Sequence, residues 1–182
     1  MFPGKLRGTI EKEEKLTPEE INAIQDWSNP SDSELHDYEK IGKKDPKIVQ
    51  KYNALLSACK KLGSFQGKVY RGVNIPIQTL RRFSSNTIVQ TKLLQSYTRS
   101  RRIAKEFALL GSGDDDTTTG VLWIVQLKHA IDISKYSELP EEEECLLLKG
   151  SRLRILKIHM ASLLTKSSSE NARITQIEAE EV

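Results

Sequence analysis

The sequence predicts an α+β domain in which helices come first and strands follow. Three observations carry this. Capped segments with helical apolar spacing crowd residues 16–63. Short β-branched and aromatic runs dominate residues 64–182. The two textures show little of the strict alternation that builds a parallel sheet with crossover helices. Residues 1–15 read as an extension, and 16–182 as a single domain with a helical front and a β-rich core.

Each element has its own warrant. In LTPEEINAIQDW, Thr17 is placed to cap a helix, Pro18 fits the first helical position, and Glu19 and Glu20 suit the positive end of the dipole. Ile21, Ile24 and Trp27 share one face. SNPSD is a loop, and a short helix is expected from Ser33 to Ile41. Asp45 caps the next helix, with Pro46 in its first turn; Ile48, Tyr52, Leu55, Leu56 and Cys59 recur at helical spacing until Gly63 stops it. Lys68 to Val73 reads as a strand, IPIQTLRRF as a helical turn, and TIVQTKLLQSYT as one or two strands. RSRRIAKEFALLG is a helix with Ile103, Phe107 and Leu110 on one side. GSGDDDTTTG is a loop; GVLWIVQLKHAIDIS, ECLLLKGSRLRILKI and ARITQIEAEE are rich in strand; SSSEN is a mobile turn.

Composition narrows the classes. With 37% apolar and 29% charged residues the chain reads as soluble and globular, and no apolar run approaches membrane-spanning length. The first residues lack the apolar core of a Sec-type signal, so the protein is expected to stay inside its maker or to leave by another route. Cys59 and Cys145 suggest no disulfide framework. A net charge of +3 and one basic helix start, RSRR, do not call for a nucleic-acid partner. His36, His129 and His159 are scattered, and no metal site is expected.

Three short motifs hold chemistry-bearing side chains. In VYRGV, Arg71 sits in a strand before Gly72; the guanidinium fork suits phosphate, and the glycine allows close approach of a ligand or another backbone. An exposed strand arginine is the plain alternative. In Ser96-Tyr97-Thr98 a strand runs into a basic helix, and the hydroxyls suit a cap or turn as readily as a site. In SELPEEEECLLLKG, four glutamates meet an apolar run. A strand from Glu142 to Leu148 would put Glu142 and Glu144 on one face and Glu143 on the other, a pair able to divide two jobs. A solvated acidic loop is the alternative there.

Taken in order, these motifs resemble the mono-ADP-ribosyltransferases of the arginine–serine–glutamate class. That class is marked by a strand Arg followed by Gly, a Ser-x-Ser/Thr triplet, and Glu/Gln-x-Glu before an apolar strand. The flanks are similar too: Ala104 and Phe107 follow the triplet, and Gly150-Ser151 with Leu153 and Ile155 follow Glu144. The likeness runs from about Leu16 to Ile158 and selects Glu142/Glu144 over Glu141/Glu143. Tyr97 departs from the small residue common there, and Thr98 replaces the commoner serine.

The resemblance implies a fold with the helical front packed on a two-sheet β core. It implies NAD⁺ as co-substrate, no metal, and transfer of ADP-ribose to an acceptor arginine with release of nicotinamide. By the same analogy, Glu144 stabilises positive charge on the ribose and holds its 2′-hydroxyl, and Ser96 orients Glu144. Arg71 grips the diphosphate, with Gly72, Tyr97 and Thr98 beside the cofactor. Glu142 would align the acceptor, Tyr136 would contact the target, and the GSGDDDTTTG loop would order around NAD⁺. The implied partner is a host protein bearing an arginine, met by a monomeric toxin or effector. An NAD glycohydrolase, a phage-type transferase and a non-catalytic module of the same fold remain open.

Overall fold

Thr17 starts the first helix in the computed structural model, which describes residues 15–29, 34–42, 45–110, 117–164 and 171–182. The Thr17 hydroxyl accepts from Glu20 N, and the Glu20 carboxylate accepts from Thr17 N at 2.8 Å, closing a capping box over α1 (Pro18–Ser28). Helix α2 spans Glu34–Ile41, and α3 (Pro46–Leu62) starts under the Asp45 cap and ends at Gly63, whose φ of 69° favours glycine. The expectations for residues 1–14, for most of SNPSD and SSSEN, and for GSGDDD lie outside the described residues. No described helix is long and apolar enough to cross a membrane.

Glu20 also ties α1 to α3. The Ser57 hydroxyl donates to it at 2.6 Å, and Lys61 Nζ lies 3.0 Å away. Burial would raise its pKa. The Ser57 hydroxyl, the Thr17 amide and the Lys61 ammonium outweigh that and hold it below the usual 4.5. A carboxylate with a depressed folded pKa stabilises above its unfolded value and loses that contribution as pH falls through the folded value. Thermal unfolding should therefore show a midpoint that drops as pH falls below 4.5, with Glu20→Gln flattening the drop. At neutral pH that variant should lose about 1–3 kcal/mol, the usual cost of breaking charge-assisted bonds at a buried group.

From Phe65 onward the chain is mostly extended. Strand β1 covers Phe65–Pro76 and leads into the single turn α4 (Ile77–Leu80). TIVQTKLLQSYT is two strands, β2 (Ile88–Gln90) and β3 (Gln95–Thr98), followed by α5 (Arg101–Leu109). GVLWIVQLKHAID lies within one long strand, β4 (Thr118–Asp132). After a 3-10 turn at Pro140–Glu142 come β5 (Glu144–Leu147), β6 (Arg152–Leu164) and β7 (Asn171–Glu181).

The strand order is β1-β3-β5-β4-β7-β6-β2, and β1 also pairs with β4. The pairings β1–β3–β5–β4–β1 therefore close on themselves. The expected helical front and β core are both present, and the strands are joined in one hydrogen-bonded network. Val69, Tyr97, Val125, Cys145, Ile155 and Ile177 come from six strands and pack into one core. A second core joins the helices to one end of the strands through Ile24, Trp27, Leu55, Leu94, Ile133 and Leu146. Near the C-terminal end of β7, Glu181 folds back, and the Lys128 and His129 amides donate to its carboxylate at 2.7 and 2.9 Å.

Helix α5 rests on β1 and β4 through small residues. Ala104 and Ala108 are fully buried against Leu122 and Ile174. A Cβ on Gly72 would lie 1.8 Å from the Ala104 carbonyl oxygen, and one on Gly120 would lie 2.2 Å from that of Ala108. The close approach expected at Gly72 is thus the backbone of α5.

Candidate active site

Strand register brings the second and third motifs together. Thr98 lies opposite Glu144 on β5 and opposite Tyr70 on β1, while Tyr97 faces Cys145. Side chains alternate, so Ser96, Thr98 and Glu144 share the face toward the helices and Tyr97 turns into the core. Arg71, one residue beyond Tyr70, borders the same cleft of about 290 Å³, with Trp27, Phe107 and Glu142 among its other walls. Arg71, Gly72, Ser96, Tyr97, Thr98, Glu142 and Glu144 all line it.

Glu142 reaches the cleft by a route that simple alternation did not describe. It is not on a strand: Pro140–Glu142 is a 3-10 turn, and Glu143 follows in the left-handed region at φ 48° and ψ 44°. Extended backbone resumes only at Glu144. Pro140 favours the turn, and the left-handed residue reverses the chain so that Glu142 and Glu144 still share one cleft while Glu143 stays exposed. The Thr98 hydroxyl fixes this turn, donating to the Glu142 carbonyl at 2.5 Å and accepting from Ser100 N at 2.9 Å. Both bonds commit it to the protein.

Glu144 is the buried carboxylate of the set. Burial pushes its pKa up, the Ser96 hydroxyl opposes the rise, the Glu142 charge adds to it, and the Trp27 indole opposes it weakly; the result is about 7. Burial, and after it the Glu141 charge, also raises Glu142.

Helical spacing places Trp27 on the apolar face of α1, and in the structure its Nε1 also donates to Ser96 Oγ at 3.0 Å. Ser96 accepts that bond and so retains its own proton for Glu144. His36 stacks on the indole with centroids 3.9 Å apart, and its Nε2 lies 2.9 Å from the Trp27 carbonyl oxygen. The signal available from sequence was weak: a buried tryptophan N–H usually finds a partner, but nothing in α1 shows which.

Arg71 lies with its Cζ 5.8 Å from the centre of the Tyr97 ring, and the Tyr97 hydroxyl donates to Gln95 Oε1 at 2.9 Å. Tyr97 thus supports the guanidinium from the core side. Arg71 Nη1 is buried and has no hydrogen-bond partner among the described residues. An orphaned guanidinium donor is costly unless an anionic group completes it. Arg71, Val73 and Tyr97 also border an adjoining cleft of about 270 Å³, so the arginine stands where the two meet. Tyr136 is not at the cleft; it is half-buried against the helical core, with Lys135 Nζ 5.3 Å from its ring centre.

No family model matches the chain. It is 24% identical over 141 residues to the Mycobacterium avium (strain 104) protein named "Putative NAD(+)--arginine ADP-ribosyltransferase Mav". That match covers 78% of this chain and 16% of the relative's length. Among solved structures, the ADP-ribosyltransferase Vis in complex with agmatine superposes with a TM-score of 0.74 at 22% identity, over 92% of this chain and 75% of that one. Vis is a toxin from Vibrio splendidus. The ADP-ribosyltransferase HopU1 of Pseudomonas syringae pv. Tomato DC3000 gives a TM-score of 0.67 at 23% identity, over 92% of this chain and 78% of that one. The chain has the ADP-ribosyltransferase fold.

Proposed function

We propose that this domain transfers ADP-ribose from NAD⁺ to an arginine side chain of a target protein and releases nicotinamide. The observation that carries the reading is the meeting, in one cleft, of a buried carboxylate beside a serine, a second carboxylate, and a guanidinium with an unpartnered donor. The donor set fits the dinucleotide: Arg71 offers charge-assisted bonds to a diphosphate, and Glu144 offers an acceptor to a ribose hydroxyl. NAD⁺ supplies a leaving group that is already cationic, so no general acid is needed.

The residues then divide the work. Ser96, held by Trp27, orients the Glu144 carboxylate. Glu144 stabilises the positive charge that develops at the ribose, an interaction stronger in the transition state than before it. Glu142 attracts the protonated guanidinium of the acceptor, aligns it and takes up its proton. The names of Mav and of the Vis–agmatine complex support arginine as the acceptor class. The neighbour named as a toxin supports a target protein in another cell.

The test uses NAD⁺ with agmatine as a small guanidine acceptor, following nicotinamide release and the ADP-ribosyl adduct by mass spectrometry. Wild type should form the adduct. Glu142→Gln should lower adduct formation by about 10²-fold while release without acceptor persists, because only acceptor alignment and proton uptake are lost. Free ADP-ribose with no adduct on agmatine or on proteins of a lysate would make the domain a glycohydrolase. No nicotinamide release at all would make it a binding module.

A further inference from the structure

Arg99 opens the basic run RSRR, whose plain reading is a solvated helix start. Its surroundings are otherwise. Arg99 Nη1 lies 3.1 Å from Asp132 Oδ2, and Nε lies 3.7 Å from Glu143 Oε2. Its backbone N–H donates to the Glu143 carbonyl at 3.2 Å. Asp132 ends β4 and Glu143 immediately precedes β5, so one side chain ties both ends of the connection between these strands.

Each end is organised further. Asp132 Oδ1 accepts from the Ser134 amide and hydroxyl at 3.0 and 2.6 Å. At the other end the Thr98 hydroxyl, from the residue before Arg99, holds the Glu142 carbonyl. Glu143 itself sits in a left-handed conformation that a residue with a Cβ adopts only when its neighbours impose it. That conformation is what turns Glu142 toward the cleft. The three side chains of the ion-pair set are 36–49% exposed, so their direct contribution to stability is small. Their geometric consequence is larger, because a displacement of about 1 Å in an aligning group costs about 10²-fold in rate.

We propose that Arg99 is a positioning residue for acceptor use: by clasping Asp132 and Glu143 it holds the β4–β5 connection, and with it Glu142, in the geometry that receives the acceptor guanidinium. This rests on the transferase reading above. It assigns to Arg99 a share in choosing between transfer to an acceptor and loss of ADP-ribose to water, with no contact to either substrate.

The test compares wild type, Arg99→Ala and Arg99→Lys as full chains. Nicotinamide release without acceptor, adduct formation with agmatine, and backbone hydrogen exchange across Ser134–Glu142 are measured on each. Arg99→Ala should lower the ratio of adduct to release by about tenfold and speed exchange in that segment. Arg99→Lys, which keeps the charge but not the fork, should recover part of both. Asp132→Asn, removing the partner at the other end, should lower the same ratio. Faster exchange with an unchanged ratio would overturn the proposal, as would equal losses of adduct and release. A wild type that releases nicotinamide yet forms no adduct would remove the transferase reading instead, whatever the exchange data show for the clasp.

Discussion

Glu144→Gln should reduce nicotinamide release by about 10²–10³-fold with little change in NAD⁺ affinity, the size expected when a preorganised charge facing the transition state is lost. Single-turnover kinetics and equilibrium binding measured together would check it. A raised folded pKa means that ionised Glu144 is a burden on the fold: its cost grows as pH rises from 4.5 through about 7. The amide removes that cost, so the variant should unfold at a temperature no lower than wild type at neutral pH, which separates lost chemistry from lost structure. The same pKa sets a pH dependence. The reaction needs the carboxylate ionised, so kcat/KM of the wild type should rise with a midpoint near 7. A normal rate for Glu144→Gln would remove this residue from the mechanism.

Gly72→Ala should destabilise the domain by about 3 kcal/mol or more, at the upper end of what overpacking costs. The added carbon would meet the Ala104 carbonyl oxygen at 1.8 Å and the Ala108 nitrogen at 2.5 Å. Both belong to helix backbone, which cannot swing aside as a side chain can. For a chain of 182 residues this corresponds to a fall of about 6–12 °C in Tm, read by calorimetry or circular dichroism. Because Ala104 and Phe107 of α5 also wall the cleft, the displaced helix should weaken NAD⁺ binding as well. An unchanged Tm would show that α5 moves freely over β1.

These two residues mark the limits of what could be read from the chain alone. The capped helices, the switch to strand texture after Gly63 and the candidate set Arg71, Ser96, Glu142 and Glu144 were legible, because caps, periodicity and short motifs are local. Strand alternation placed Glu142 and Glu144 together for the wrong reason: it holds only for extended backbone, and Pro140 with left-handed Glu143 supplies a turn instead. The partners of Gly72, Trp27 and Arg99 come from distant segments, so residue type alone pointed at a close approach, a buried N–H and a charge without saying what met them. Thr98 carried a hydroxyl suited to a ligand, and the fold spends it on the Glu142 carbonyl.

Strand β7 is the last described element, yet it lies in the interior of the sheet, parallel to β4 and antiparallel to β6. During synthesis, then, every element of the cleft emerges from the ribosome before the strand that seals the core behind it. A nascent chain up to β6 presents two long unsatisfied edges, on β4 and on β6, while the β1–β3–β5–β4 ring that carries Ser96 and Glu144 has all its strands in hand. Until β7 inserts between them, those two edges are open to pairing with another chain.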